Sequence, residues 1–195
     1  MSTETGDATR GRRYDGVAMA LHWLTALAVL GLLVVGLVMT DLPRGSALQF
    51  VLFQGHKSVG ITVLLLTVAR LAWRLAHRPP PLPASMPPWE RAAAHAGHLG
   101  LYLFLLAMPL TGWALVSASP LNIPTVLYGV LPWPHLPILA TLADKKPVAA
   151  ALATTHGALA WILIALLVVH VGAALRHHVL LKDDVLRRMV PRHFL

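Results

Sequence analysis

Four histidines, His22, His56, His156 and His170, sit inside or at the ends of apolar stretches that read as membrane-spanning helices. A bilayer interior penalises ionisable side chains, so histidines at that depth point to function. His156 and His170 lie on one expected helix. Their spacing of 14 residues is about 21 Å of helix, most of a hydrocarbon core. At about 100° per residue the two differ by only about 40° in direction, so both face the same neighbours. The pattern suits two haems stacked across a membrane, one near each surface.

The elements that must position them follow from composition. Of the 195 residues, 56% are apolar and 12% charged, too greasy for an ordinary soluble domain. The net charge of +8 does not indicate nucleic acid, because the basic residues cluster beside apolar runs, as they do next to membrane lipid. There is no cysteine. That excludes disulfides, thiolate-ligated clusters, a thiolate haem ligand and covalent haem attachment. Any haem is therefore held without covalent links, most simply by histidine. Residues 1–13 form a polar N-terminal tail, and the apolar run after them is too long for a signal peptide, so it reads as a retained first span.

The expected fold is all-α, a membrane four-helix bundle, with spans at about 16–39, 55–77, 94–117 and 148–175 in a domain covering 14–192. Residues 193–195 are a C-terminal end. Span two carries Lys57, Arg70 and Arg74; Arg70 is the deepest and needs a partner. The stretch RPPPLPASMPP (78–88) is a turn or extended link. Pro109 should kink span three, which a bundle tolerates. The long link 119–147 contains VLYGVL and Trp133, which suggests a segment lying at the membrane interface. Four spans put both termini on one side. Twelve basic residues fall there, from Arg10 to Arg192, against Arg44, Lys57, Lys145 and Lys146 on the other. The positive-inside rule then makes both termini cytoplasmic.

That orientation gives each histidine a depth. His22 pairs with His170 near the cytoplasmic face, and His56 with His156 near the outer face. Each pair could supply both axial ligands of one b-type haem, which favours electron transfer over oxygen binding at iron. A flat macrocycle also needs room on the ligand helix. Four residues on from each ligand stand Ala26, Gly60, Ala160 and Ala174, all small. The alternative is that these histidines form interhelical hydrogen bonds in a haem-free scaffold or transporter. A zinc or copper site fits less well, because neither pair has a carboxylate or sulfur ligand nearby in the sequence.

The matching stretches ALHWLTAL, GHKSVGITVLLLTVARLAWRL, AHAGHLGLYLFLLAMPLTGW, THGALAWILIALLVVHVGAAL and RHHVLLKDDVLRRMVPR resemble the bacterial cytochrome b561 family of four-helix di-haem membrane proteins. The resemblance covers nearly everything from Tyr14 to Arg192. It implies two haem b groups, with His22, His56, His156 and His170 as axial ligands to haem iron, in a multi-pass protein of the bacterial inner membrane. It also implies electron exchange with membrane quinone. The best-matching branch resembles superoxide oxidase, which takes an electron from superoxide at the outer face and passes it to ubiquinone. Other members serve as membrane anchors that relay electrons for a hydrogenase or other dehydrogenase, so the outer partner is superoxide or a redox protein.

Further residues carry two readings each. His95 and His98 form a quinone or proton-handling site, or a pair of wet interface histidines. Arg70 and Arg74 neutralise haem propionates, or snorkel to lipid phosphate. Lys57 pairs with a propionate of the outer haem, or adds to a positive field that attracts an anion. His177 and His178 read as headgroup-facing, and His135 as an exposed loop residue. Asp41, Glu90 and Asp144 are all expected in links, which leaves the spans without a buried acid relay.

Overall fold

The computed structural model of the protein describes residues 13–83 and 85–190. Residues 1–12 of the tail, with Arg10 and Arg12, and the end containing Arg192 and residues 193–195 lie outside the described residues. Four long helices, α1 (Gly16–Asp41), α2 (Ala47–Ala76), α3 (Pro88–Ser117) and, after a short insertion, α5 (Lys146–Val179), are each long and apolar enough to cross a membrane. The insertion holds strands β1 (Thr125–Leu127) and β2 (Leu131–Trp133) and the one-turn helix α4 (Pro137–Ala140). A 3₁₀ turn, Leu186–Met189, follows α5.

Local chemistry sets the ends. Asp15 caps α1 by accepting from the Ala18 amide at 2.9 Å, and Ser46 caps α2 by accepting from Gln49 N at 3.2 Å. The Ser46 cap starts α2 at Ala47, so the link expected over 40–54 is mostly helix. Pro88 occupies the first turn of α3, where its missing N–H costs nothing. That earlier start corrects the expectation for Glu90, which lies in the first turn of α3 rather than in a link, and Asp41 is the last residue of α1. Glu90 sits 2.6 Å from Arg176 of α5.

Packing runs α1 on α2, α2 on α3 and α3 on α5. Each long helix gives one residue to the central apolar cluster: Val29, Val63, Leu105 and Leu163. Buried hydroxyls on the long helices return their hydrogen bonds to their own helix. Thr25 donates to Leu21 O, Ser58 to Gln54 O and Thr67 to Val63 O, so they bury no unpaired polar atom. Large apolar side chains such as Leu27, Val34, Val168 and Val169 are about two-thirds exposed, which in lipid is the satisfied state.

The two ends are closed differently. At the end holding the termini, Tyr14 N donates to Arg188 O, Trp23 Nε1 to Met189 O and Arg188 to Pro81 O. There His177 is buried and 2.5 Å from Asp183, which corrects its reading as a headgroup-facing residue. At the opposite end, β1 and β2 pair antiparallel with Val126 opposite Pro132. This hairpin was not expected from a link rich in proline. Its turn places Tyr128 and Gly129 at φ 52° and 74°, conformations that cost little for glycine but favour other residues poorly. Tyr128 is held there by two contacts with α2. Its amide donates to Ser58 Oγ at 3.0 Å, and its hydroxyl is 2.5 Å from Thr62 Oγ1.

Candidate functional site

The bundle contains two interior cavities separated by the apolar cluster. One, of about 480 Å³, lies toward the hairpin end and is lined by His56 and His156. The other, of about 940 Å³, lies toward the terminal end and is lined by His22, His98 and His170. Val29, Leu105 and Leu163 line both, so the core of the protein is the partition between them.

The four histidines come together in two pairs across helices. His22 of α1 and His170 of α5 have ring centroids 6.5 Å apart. His56 of α2 and His156 of α5 are 6.3 Å apart. A metal–imidazole bond of about 2 Å on each side, plus the ring radius, sets two facing imidazoles about 6 Å apart, so both gaps fit iron between them. Ala26 and Ala174 line the terminal cavity, and Gly60 and Ala160 the hairpin cavity. A methyl at Gly36 would meet His56 Cε1 at 3.3 Å, and one at Gly112 would meet His156 Cε1 at 3.2 Å. Both rings therefore lean over glycines of the neighbouring helices. His56 Nδ1 is buried with no protein partner. Among the described residues, no group of three or more histidine or acidic side chains is close enough to hold a metal ion by itself.

The surroundings of the pairs differ. His156 Nδ1 lies 3.0 Å from Thr111 Oγ1. His22 Nδ1 lies 3.0 Å from the Arg70 guanidinium. Arg70 and Arg74 both stack on the Tyr102 ring, at 5.1 and 5.7 Å from its centroid. The deep arginine thus has two partners within the protein, and Arg70, Arg74 and Tyr102 line the terminal cavity. His98 belongs to the same cluster, 5.8 Å from His170 between centroids. His95 is exposed and does not line the cavity, so the structure divides the pair that the sequence set together.

Toward the hairpin, Lys57 lines the smaller cavity while its ammonium donates to Pro124 O at 3.0 Å. His135, expected to be exposed, is half-buried, and its Nε2 has no partner among the described residues. Burial, with Lys57 and Lys145 nearby, pushes its imidazole below the usual range. Trp113 Nε1 donates to Pro134 O at 2.8 Å, which ties α3 to the insertion. Thr111, Gly36 and Gly112 were not singled out in the sequence. The one available signal was a Thr-Gly pair just after the intrahelical Pro109.

The model of prokaryotic cytochrome b561 matches residues 13–192. Cytochrome b561 homolog 2 of Escherichia coli is 39% identical over 179 residues, 91% of each chain. Cytochrome b561 homolog 1 of the same organism is 30% identical, covering 92% of this chain and 98% of its own. A protein of Yersinia pestis named probable superoxide oxidase CybB is also 30% identical, covering 93% of this chain and 97% of its own. Matches over nearly the full length, on a four-span bundle with histidines paired at two levels, mean that the chain belongs to the prokaryotic cytochrome b561 family of membrane cytochromes, for which haem b is the implied cofactor.

Proposed function

We propose that the protein holds two haem b groups, one between His22 and His170 and one between His56 and His156, and moves electrons across the membrane from superoxide to ubiquinone. The observation that carries this reading is the pair of cavities, each with its own facing imidazoles, at opposite ends of one bundle. When bound, haem b supplies a one-electron carrier. The paired histidines would hold its iron and so favour electron transfer over oxygen binding. Arg70 and Arg74, propped on Tyr102, present guanidinium groups that suit propionate carboxylates. The partition of Val29, Val63, Leu105 and Leu163 keeps water out of the space between the two centres and fixes their separation.

The basic count argues for an N-in, C-in orientation in an inner membrane. The hairpin end is then the outer face, where Lys57 and Lys145, both near half-buried His135, make a positive surround for an anionic donor. The terminal cavity, about twice the volume of the other and lined by His98, is the better candidate to take a quinone head group. Two superoxide anions each give up one electron and leave as dioxygen, and one quinone takes two electrons and two protons to become quinol.

Superoxide generated beside the purified, haem-loaded protein should reduce added ubiquinone, faster than in its absence. No quinol formation with both haems bound would instead favour a relay subunit serving a hydrogenase or other dehydrogenase. A folded preparation that stays colourless when haem is supplied would sink both.

A further inference from the structure

We propose that Thr111 is a positioning residue for the haem at the hairpin end, holding His156 in the tautomer that can ligate iron; this rests on the reading of His156 as a ligand. The Thr111 hydroxyl has one proton. It lies 2.8 Å from Ala107 O and 2.9 Å from Met108 O, carbonyls one turn back on the same helix, and donates to them. Its oxygen is then left as an acceptor toward His156 Nδ1 at 3.0 Å. An imidazole that donates from Nδ1 keeps its free lone pair on Nε2, the other ring nitrogen. Metal-bound histidines owe their tautomer and basicity to such outer partners.

Gly112 completes the arrangement. A Cβ there would stand 3.2 Å from His156 Cε1, closer than side chains normally approach. Two consecutive residues of α3 thus do separate jobs on one ring of α5: one hydrogen-bonds it and the other leaves room for it. The equivalent nitrogen of His22 lies 3.0 Å from the Arg70 guanidinium, which offers no acceptor, so the device belongs to one centre alone; iron binding through His22 Nε2 would require Arg70 to release Nδ1.

An acceptor on Nδ1 makes the imidazole a stronger donor to iron and stabilises the ferric state. Thr111→Val keeps the shape and removes the acceptor. In a redox titration of the holoprotein it should raise the midpoint potential of one haem and leave the other in place, and change one of the two low-spin ferric electron spin resonance signals. Thr111→Ser should restore both. Thr111→Ala adds no atom and reads the same shift if the valine variant does not fold. Gly112→Ala should disturb the same signal through the ring's position. A threonine variant with both haems at unchanged potentials, or with both shifted alike, overturns the proposal. His156→Ala is the separate control: if it keeps both haems, the ligand reading has failed; if it loses one while Thr111→Val shifts nothing, only the role of Thr111 has failed.

Discussion

The two histidine pairs have nearly the same spacing, 6.5 and 6.3 Å, but sit in opposite electrical settings. Around His56 and His156 the cavity is small; a threonine hydroxyl lies against His156, and the lysine in its lining is occupied by a loop carbonyl. Around His22 and His170 it is larger, and its lining includes five arginines, Arg70 and Arg74 among them, together with Tyr102 and His98. Equal spacing with unequal charge would let one bundle bind the same cofactor twice and give the two copies different jobs. Cations within a low-dielectric site stabilise an added electron. With haem in both cavities, the arrangement would make the terminal centre the better electron acceptor, the direction required by the proposed reaction of superoxide at the hairpin end.

The comparison can be broken most directly by removing ligands. His156→Ala and His170→Ala should each halve the haem content, the first emptying the hairpin cavity and the second the terminal one, as read by pyridine haemochrome assay and by which optical band is lost. Loss of both haems from either variant would mean that the cavities do not act independently. His22→Ala should keep more haem than His170→Ala, because His98 faces His170 at 5.8 Å and is available as a substitute; adding His98→Ala should remove that remainder.

Next in size is the partition itself. Leu163 is 3% exposed and lines both cavities. Leu163→Ala should cost about 2–5 kcal/mol, the usual range for a buried leucine, measured by thermal unfolding in detergent. It should also weaken retention of both haems, whereas a ligand variant affects one.

A smaller and more selective effect is expected from Arg70→Gln. Removing the cation should lower the potential of the terminal haem while the hairpin haem stays where it was. Equal shifts in both would show that charge acts on the bundle as a whole and would erase the contrast between the two sites.

The smallest effect concerns the mouth of the terminal end. Burial raises the Asp15 carboxyl, but hydrogen bonds from the Ala18 amide and Trp73 Nε1 outweigh it and hold the group below the usual carboxylate range. Because the folded value is the lower one, the contribution is complete above the unfolded value of about 3.9 and is lost as pH falls through the folded value. Asp15→Ala should cost about 1 kcal/mol at neutral pH and nothing below that window, with no comparable change at the hairpin end, where α2 is capped by the uncharged Ser46.

Much of this molecule is legible in the chain. The four long helices follow from apolar runs between prolines and polar links. The small residues Ala26, Gly60, Ala160 and Ala174 were identifiable because helix periodicity alone puts each on the same face as its histidine. Gly36 and Gly112 were not, since each makes room for a histidine on a different helix. Periodicity says nothing about which neighbour a face will meet. The β-hairpin was missed for a related reason. Its turn residue Tyr128 is a poor candidate for positive φ, and only contacts with Ser58 and Thr62, some 70 and 66 positions earlier, hold it there. His177 looked exposed because it sits in the last turn before a basic tail, and the tail then folds back so that Asp183 meets it.

By itself the sequence determined the transmembrane architecture and the depths of the four histidines, because hydrocarbon thickness and helical rise convert position along the chain directly into distance across a membrane. Only the tertiary structure decided what each imidazole faces, which glycine admits it and which cavity receives the arginines. Those depend on how helices turn about their own axes against one another, and that is settled by packing between segments far apart in the chain.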